Sequence, residues 1–311
     1  MMLAAAERLI AALVAHPDGV SVARAASAGA SDLGSVLEEL ERRGYRVERT
    51  AGALQLDGAA THFDPVAFER RRTGTWGAPL EVWESTASTN DLARAGADAG
   101  APHGALWLAE SQTHGRGRQG RAWICAPRAG LLVSGVLRLA LHASARPLWL
   151  PLALGLGACE ALRQAGVPAC TKWPNDILIG DAKLAGLLVE TRSVPAATTI
   201  FGLGMNVRPN AVAASDGVLA AHLGAMAREE LLARLLAGME FRVEDWSAGR
   251  FEDLRTAWLA LDCVLGRTLR VVTPDGELIA RARSVTDAGL LDLELEDGTR
   301  RQVAAGEVHL V

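Results

Sequence analysis

Glycines and arginines alternate in one short segment of the chain. Residues Gly115 to Arg121 read Gly-Arg-Gly-Arg-Gln-Gly-Arg and contain no acidic residue. Glycine lets a backbone approach a ligand closely, and arginine grips phosphate or carboxylate through paired hydrogen bonds. The pattern is neither a Walker loop nor a dinucleotide-binding turn. A solvated basic loop is the alternative, but a predicted strand ends at Glu110 and Trp123 follows, so both ends are anchored. We therefore predict an anion-binding loop.

Lysine and asparagine are rare in this chain, and they cluster. The 311 residues include 30 arginines but two lysines, Lys172 and Lys183, and four asparagines. Five of these six residues fall between positions 172 and 210. Arginine serves as well as lysine on a solvated surface, so two retained ammonium groups indicate point charges that a planar guanidinium cannot replace. Chance in a chain of biased composition is the alternative.

The segment from Lys172 to Glu190 predicts a hairpin that presents polar side chains. It reads Lys-Trp-Pro-Asn-Asp, then an apolar strand, a Gly-Asp turn and a second strand that starts at Lys183. Proline prevents a regular helix, so Asn175 and Asp176 are expected on irregular backbone at a strand start. Hairpin punctuation without a ligand is the alternative.

Glycines also interrupt strand-like runs where a ligand or another backbone must come close. These glycines are Gly186 in the second hairpin strand, and Gly202 and Gly204 in the run that ends at Asn206. Upstream, residues 85–90 read Ser-Thr-Ala-Ser-Thr-Asn before a helical pattern. Such groups are ordinary helix caps, and they could equally hold a neutral polar ligand at the start of the helix.

Composition limits the class of protein. Half of the residues are hydrophobic, 22% are charged and the formal net charge is −4, which excludes a strongly basic nucleic-acid coat protein. No stretch has the length of a membrane span, and the start lacks the basic flank of a signal peptide, so a cytoplasmic protein is expected. The four cysteines form no CxxC pair, which argues against a zinc module or a disulfide framework.

Residues 1–62 predict a small winged helix-turn-helix domain. Its first helix has an apolar stripe that begins at Leu9, its third helix is capped by Ser31 and closed by Gly44, and a two-stranded wing turns around Gly52. A three-helix packing motif without a role in DNA binding is the alternative.

The remaining residues predict a linker and two further domains. Residues 63–75 indicate a linker or short helix. Residues 76–262 mix strand-like runs with helices at about 148–165 and 228–243, which indicates an α+β or α/β domain. Residues 263–311 predict a small β-barrel, because leucines alternate with acidic residues at positions 291–296 and Asp-Gly pairs mark hairpins.

The motifs and their order resemble those of biotin–protein ligases, over essentially all 311 residues. The motifs that carry the resemblance are Ser88-Thr-Asn90, Gln112 with Gly115-Arg-Gly-Arg-x-Gly-Arg121, Lys172-Trp-Pro-Asn-Asp176, Lys183-x-x-Gly186 and Gly202-x-Gly-x-Asn206. The chain departs from the family at Cys125-Ala126-Pro127, where Ser-Pro usually follows the tryptophan. The resemblance implies an α+β fold with an N-terminal winged helix, a central mixed-sheet catalytic domain and a C-terminal SH3-like barrel, as in the bacterial form that is both ligase and repressor.

The resemblance also implies a two-step reaction. Biotin and ATP, with Mg²⁺, give biotinoyl-adenylate and pyrophosphate, and a lysine of a biotin carboxyl carrier protein then takes the biotinoyl group. The implied catalytic residues are Lys183, Arg118 and Asp176. The implied biotin-binding residues are Ser88, Thr89, Asn90, Gln112, Gly115, Arg116, Gly117, Arg118, Lys183, Gly186 and Gly204. The implied ATP-binding residues are Arg118, Arg121, Trp123, Lys172, Asn175, Lys183 and Asn206, with Trp123 stacked on adenine.

The two steps need different chemistry. A carboxylate is already ionised at neutral pH, so the first step needs cations that bring it onto a triphosphate. The acceptor lysine has a reference pKa of about 10.4 and is roughly 0.1% neutral at pH 7.4, and Asp176 is the candidate to orient or deprotonate it. Two alternatives stay open: a lipoate ligase, whose apolar substrate head would not need the Ser-Thr-Asn and Gln112 groups, and a non-enzymatic repressor that senses a metabolite.

Partners beyond the carrier protein are operator DNA of biotin-synthesis genes and a ligand-dependent homodimer. Residues 1–62 carry six arginines against eight acidic residues, and the candidate recognition helix has no cation before Arg42. Recognition helices usually present their first turns to base edges, with cations on flanking phosphates. We therefore predict a winged helix whose DNA binding is weak or altered.

Overall fold

The structure is a computed structural model. It describes residues 9, 12–13, 20–23, 33–42, 47–50, 52–56, 62–139, 146–192, 198–208, 221–223, 227–273 and 276–310. The chain divides into two compact units, Met1–Ala67 and Phe68–Val311.

The first unit contains a helix and a three-stranded antiparallel sheet. Among the described residues of this unit are β1 (Val20–Ser21), α1 (Leu33–Arg42), β2 (Val47–Thr50) and β3 (Ala53–Leu56), with the sheet order β1-β3-β2. The hydrophobic core of this unit is formed by Leu9, Leu13, Val20, Val36, Leu40 and Leu54. Gly52 lies between β2 and β3 with φ +91°, a conformation that favours glycine in a tight turn. The predicted caps Ser31 and Gly44 lie outside the described residues, and the winged helix itself stays a prediction.

A seven-stranded mixed sheet forms the centre of the second unit. Its strands are β4 (Leu80–Trp83), β5 (Leu106–Ala109), β6 (Gly130–Arg138), β7 (Ala169–Lys172), β8 (Asp176–Ile179), β9 (Ala182–Arg192) and β10 (Thr198–Asn206). The order is β4-β5-β6-β10-β9-β8-β7, in which β4 and β5 run parallel and all other neighbours run antiparallel. The predicted mixed sheet is confirmed, and so is the hairpin after Lys172, whose second strand starts one residue before the predicted Lys183.

Helices pack against this sheet. They are α3 (Thr89–Asp98), α4 (Trp149–Gln164), α5 (Arg228–Ser247) and α6 (Phe251–Leu261), and the short helix α2 (Pro65–Glu69) precedes them in the chain. Helix α3 contacts β5, β6 and β10, and α4 contacts β7, β8 and β9. Helices α4 and α5 touch through facing glycines, since a Cβ on Gly157 would lie 2.2 Å from the carbonyl oxygen of Gly238. Helix α5 extends four residues beyond the predicted end, and α6 was not predicted.

A five-stranded antiparallel sheet completes the second unit. Its strands are β11 (Thr268–Thr273), β12 (Gly276–Val285), β13 (Leu291–Glu294), β14 (Arg300–Val303) and β15 (Glu307–Leu310), in the order β14-β13-β12-β11-β15. Leu291 and Leu293 are buried while Asp292 and Glu294 are partly exposed, as their alternation predicts. The loop before β13 contacts the part of the second unit that contains the seven-stranded sheet. The indole nitrogens of Trp149 and Trp173 donate hydrogen bonds to the carbonyl oxygens of Asp287 and Gly289, at 2.9 and 3.1 Å.

None of the helices in the described part of the chain has both the length and the hydrophobicity that a membrane crossing requires.

Candidate active site

One cavity of about 670 Å³ opens on the central sheet. Its walls come from the start of α3, the loop at 116–124, the turn between β7 and β8, strands β9 and β10, and strands β11 and β15 of the C-terminal sheet. Every predicted site residue except Gly115 lines this cavity. Gly115 lies where the two ends of the loop meet: a Cβ there would come within 2.4 Å of the carbonyl oxygen of Trp123.

Two facing glycines make the floor of the cavity. Gly186 on β9 is paired with Gly204 on β10, and the ring of Trp123 rests on both. A Cβ would lie 2.4 Å from that ring on Gly204 and 3.4 Å from it on Gly186. The close approach inferred from these glycines is therefore made by a side chain of the chain itself. One face of Trp123 is covered by the strands, and the predicted stacking on adenine stays a prediction.

Both lysines of the chain converge on one carboxylate. Lys183 Nζ lies 2.7 Å from Asp176 Oδ1, and Lys172 Nζ lies 3.6 Å from Asp176 Oδ2. Burial by itself would raise the pKa of Asp176, but the ammonium groups of Lys183 and then Lys172 outweigh it and hold that pKa below its usual value. Asp176 is thus a carboxylate at neutral pH and a weak base, which favours an orienting role over deprotonation. Two cations and one anion leave a net positive charge here.

The glycine-arginine segment 115–121, called the arginine loop below, is a short hairpin with a 3₁₀ turn at Arg118–Gly120. Its backbone closes through the Gly117 N–H, which donates to the Arg121 carbonyl oxygen at 2.7 Å. Gln119 at the tip has φ +56°, a strained conformation for a residue with a side chain. The loop therefore has a defined fold, and both of its ends are anchored, as predicted.

The three arginines of this loop reach three different walls of the cavity. Arg118 donates to the Asn175 side-chain oxygen at 3.1 Å, on the turn between β7 and β8. Arg121 pairs with Glu307 of β15. Arg116 pairs with a carboxylate of α3, 2.6 Å away. Burial lowers the pKa of Arg118, although a guanidinium stays protonated at any physiological pH.

Gln112 organises the start of α3. Ser88 occupies the cap position of the helix, but its side chain makes no capping hydrogen bond. Instead the side-chain oxygen of Gln112 accepts a hydrogen bond from the Thr89 N–H at 2.7 Å. Ser88 is thus the N-cap residue by position, and its hydroxyl is not used for capping. Ser88, Thr89 and Gln112 all line the cavity.

Asn90 is held rigidly beside them. Its oxygen accepts from the Ser134 hydroxyl at 2.6 Å, and its nitrogen donates to Glu190 at 2.9 Å. Gly202 allows this position, because a Cβ there would lie 2.2 Å from the Asn90 oxygen. This end of the cavity has neutral hydrogen-bonding groups, whereas the lysine end is cationic.

Several lining or supporting residues were missed by the sequence reasoning. They are Ser134 on β6, Glu190 on β9, Asp91 and Arg94 on α3, and Arg270, Glu307 and His309 of the C-terminal sheet. Most are single residues from separate elements and form no local motif. One indication of a role for Ser134 is present in the sequence, because it is the one polar residue in the apolar run from Leu131 to Leu137.

Two buried polar atoms at the cavity have no hydrogen-bond partner among the described residues. They are the indole nitrogen of Trp123, a donor, and the side-chain oxygen of Asn206, an acceptor. Buried polar atoms are nearly always satisfied, so we expect a water molecule or a bound ligand to pair with each of them.

Comparison with known proteins defines the class. The chain matches the family described as Biotin/lipoate A/B protein ligase over residues 82–206, and the Biotin protein ligase C terminal domain over residues 264–311. The first match contains the arginine loop and both lysines, and the second contains the C-terminal sheet. These two matches define the chain as an enzyme of the ligase class.

Individual relatives narrow the class. The biotin–[acetyl-CoA-carboxylase] ligase of Mycobacterium tuberculosis is 35% identical over 239 residues, which cover 74% of this chain and 88% of the relative. The bifunctional ligase/repressor BirA of Bacillus subtilis is 28% identical and covers 86% of each chain. The structure of biotin protein ligase from Aquifex aeolicus in complex with biotin and ATP matches with a TM-score of 0.65 at 25% identity, covering 75% of this chain and 98% of that one. The chain belongs to the biotin protein ligase family, and the predicted ligase activity is confirmed.

Proposed function

We propose that this cavity activates biotin as biotinoyl-5′-adenylate and then transfers the biotinoyl group to a lysine of a biotin carboxyl carrier protein. One observation supports this most: the two lysines of the chain meet at Asp176, between an arginine loop and a wall of neutral hydrogen-bonding groups. A substrate with an uncharged polar head and a carboxylate, activated on a triphosphate, matches this distribution of charge.

In the first step a biotin carboxylate oxygen attacks the α-phosphorus of ATP, and the bond to pyrophosphate breaks. Both reactants are anions, so cations must hold them together and stabilise the charge of the transition state. Lys183 is assigned to the carboxylate and the α-phosphate, and Arg118 and Arg121 to the phosphates. Arg121 would exchange Glu307 for a phosphate, because the two contacts use the same guanidinium.

In the second step the neutral amine of the acceptor lysine attacks the carbonyl carbon of the mixed anhydride, and AMP leaves. The amine must lose a proton before or during the attack. Asp176 would orient the amine, since its lowered pKa makes it a weak proton acceptor. The proton then passes to solvent or to the leaving phosphate.

The neutral end of the cavity would hold the ureido ring of biotin. Thr89, Asn90 and Gln112 offer donors and acceptors fixed by Ser134 and the start of α3. Buried polar groups reject a ligand that cannot pair with them by several orders of magnitude. Lipoate, whose head is apolar, is expected to bind far more weakly.

Magnesium would arrive with the triphosphate. Within the described residues no group of three or more His, Cys, Asp or Glu side chains could hold a metal, but Mg²⁺ usually binds phosphates, water and one or two protein oxygens. The side-chain oxygen of Asn206 is buried and unpaired within the described residues, so it could serve as a protein oxygen that binds the Mg²⁺ ion. The ion would neutralise phosphate charge.

The test is biotin-dependent AMP release from ATP in the presence of an apo carrier domain, followed by mass spectrometry of the carrier. We expect AMP release and a single biotinoyl adduct. Lipoate in place of biotin should give neither product. Adduct formation with lipoate alone, or no AMP release with biotin, would contradict the proposal.

The N-terminal residues are proposed to form a winged helix, with domain limits of 1–62, a linker at 63–75, a catalytic domain at 76–262 and an SH3-like barrel at 263–311. The B. subtilis relative is named a repressor, which supports operator DNA as a further partner, while biotin-synthesis genes as the target and a ligand-dependent homodimer stay predictions. The excess of acidic residues in 1–62 supports weak or altered DNA binding. A cytoplasmic location stays a prediction, supported by the use of ATP.

Fluorescence anisotropy with the promoter of a biotin-synthesis operon tests the DNA proposal, with biotin and ATP present at about 0.15 M salt. We expect weak binding. A specific Kd below about 10⁻⁷ M, near the range of operator complexes, would contradict it.

A further inference from the structure

A bidentate ion pair connects the arginine loop to helix α3. Arg116 donates from one guanidinium nitrogen to Asp91 Oδ2 at 2.9 Å and from the other to Asp91 Oδ1 at 2.6 Å. This geometry uses both oxygens of the carboxylate and is the stronger form of an arginine–carboxylate contact. The hydrogen bond from Arg116 lowers the pKa of Asp91 despite partial burial. The pair is therefore fully charged at neutral pH.

Asp91 is itself fixed by a second arginine. Arg94 Nη1 donates to Asp91 at 2.7 Å, and Arg94 Nη2 donates to Glu190 at 3.0 Å. Glu190 in turn accepts from the Asn90 amide at 2.9 Å. A continuous series of polar contacts thus runs from the arginine loop to Asn90, which lines the cavity.

Asp91 does not line the cavity, whereas Arg116 does. Asp91 can therefore affect a bound ligand only through its neighbours, and the shorter route runs through Arg116 and the loop that carries it. Because Arg116 is two residues from Arg118, release of Arg116 would free the part of the loop that faces the ligand.

We propose that Asp91 is a positioning residue that holds the arginine loop closed and thereby sets how long the adenylate intermediate stays bound. This inference rests on the proposed adenylation. The intermediate is a reactive mixed anhydride, so a closed loop also keeps water out until the acceptor arrives. The side chains of Asp91 and Arg116 are 40% and 37% exposed, so the effect is that of a partly screened pair.

The first experiment measures adenylate release from the full chain. Enzyme loaded with labelled biotin and ATP is chased with unlabelled biotin, and the release rate is followed for wild type, Asp91→Asn and Asp98→Asn. We expect release about 3- to 10-fold faster for Asp91→Asn, since the pair is exposed and its loss is worth about 1 kcal/mol. Asp98→Asn removes an exposed acidic charge from the other end of the same helix and should match wild type. Equal rates for Asp91→Asn and wild type would overturn the proposal.

A structural role in the helix must be separated from the role of the pair, because Asp91 also lies in the first turn of α3, where an acidic side chain stabilises a helix. Arg116→Gln and the double variant Asp91→Asn/Arg116→Gln make this separation. If Asp91 acts through Arg116, the second substitution adds nothing to the release rate. Additive effects in the double variant would refute the proposal.

Limited trypsin digestion of the ligand-free protein tests the loop without any catalysis. Trypsin cleaves after arginine, and the loop contains Arg116, Arg118 and Arg121. We expect Asp91→Asn to be cut within residues 116–121 several-fold faster than wild type and Asp98→Asn. If the wild type formed no adenylate, the proposed function would fail, and these cleavage rates alone would decide for or against the role of Asp91.

Discussion

A single methyl group on the cavity floor tests the packing of Trp123. Gly204 and Gly186 face each other across β10 and β9, and neither has a positive φ, so the backbone of both positions accepts alanine. The two sites differ in what the methyl group meets. At Gly204 it would lie 2.4 Å from the Trp123 ring, and at Gly186 it would lie 3.2 Å from the end of the flexible Lys183 side chain.

The expected magnitudes follow from these distances. Ordinary contact begins at 3.4 Å, so Gly204→Ala must displace the ring by 1.0 Å, the difference between 3.4 and 2.4 Å. An extra methyl group in a packed site costs about 1–3 kcal/mol. The position of the Trp123 ring against Gly186 and Gly204 should therefore become about 5- to 150-fold less favourable. At Gly186 the Lys183 ammonium needs to move by only a few tenths of an ångström, so the cost is smaller.

Single-turnover formation of the adenylate at saturating ATP, over a range of biotin concentrations, measures this effect. Gly204→Ala should be slowed at least fivefold, and Gly186→Ala should be slowed by less. Thermal unfolding of both variants controls for general damage, since Trp123 lies at the cavity and outside the main core. Equal rates for the two variants, or a larger loss in Gly186→Ala, would refute this account of the floor.

Substitutions at four further positions have defined outcomes. Lys183→Ala should slow adenylate formation by about 3 kcal/mol or more in single-turnover assays, and Lys183→Arg should also be impaired; wild-type rates for the arginine variant would contradict the point-charge argument. Arg118→Gly should release adenylate about 10- to 100-fold faster in a stopped-flow chase, because a charge-assisted contact is lost, and an unchanged rate would remove this role. Burial raises the pKa of Asp262 to about 6, so the folded state binds more protons than the unfolded state above about pH 4 and loses stability as pH rises to 6. Asp262→Asn should remove this slope and raise the free energy of urea unfolding at pH 7.5; a loss of stability would oppose this reading. Arg228 and Glu110 form a buried pair, 3% and 1% exposed, so Arg228→Met should cost about 3–5 kcal/mol in urea unfolding, and a cost below about 1 kcal/mol would count against it.

Local segments of the site could be predicted from the sequence because their residues are consecutive. The Lys-Trp-Pro-Asn-Asp segment was predicted as the irregular entry to a hairpin, since proline stops the chain from continuing as a helix. The structure has that hairpin as β8 and β9, whereas β7, which leads into the segment, was not predicted. The glycines at 202 and 204 predicted close approaches, and they are filled by Asn90 and Trp123. The sequence could not name these occupants, because they belong to α3 and to the segment after the arginine loop.

The order of strands was the part that the sequence could not supply. Strand β10 inserts between β6 and β9, which puts Gly202 opposite Ser134 although 68 residues separate them. This pairing brings the Ser134 hydroxyl to Asn90 at 2.6 Å. Register between distant strands depends on the packing of the whole sheet, and no local motif records it. Ser134 and Glu190 were missed for this reason.

The three loop arginines were equivalent by sequence, and the structure distinguishes them by their partners. Arg116 and Arg121 already neutralise carboxylates of the chain, Asp91 and Glu307. Arg118 contacts the amide oxygen of Asn175 and forms no ion pair among the described residues, and burial lowers its pKa. A partly buried cation that has no direct ion pair is stabilised by the arrival of an anion. Arg118 therefore gains most from an anionic ligand, so it should contribute most of the loop's affinity for the adenylate, while Arg116 stays paired with Asp91 and Arg121 must first release Glu307.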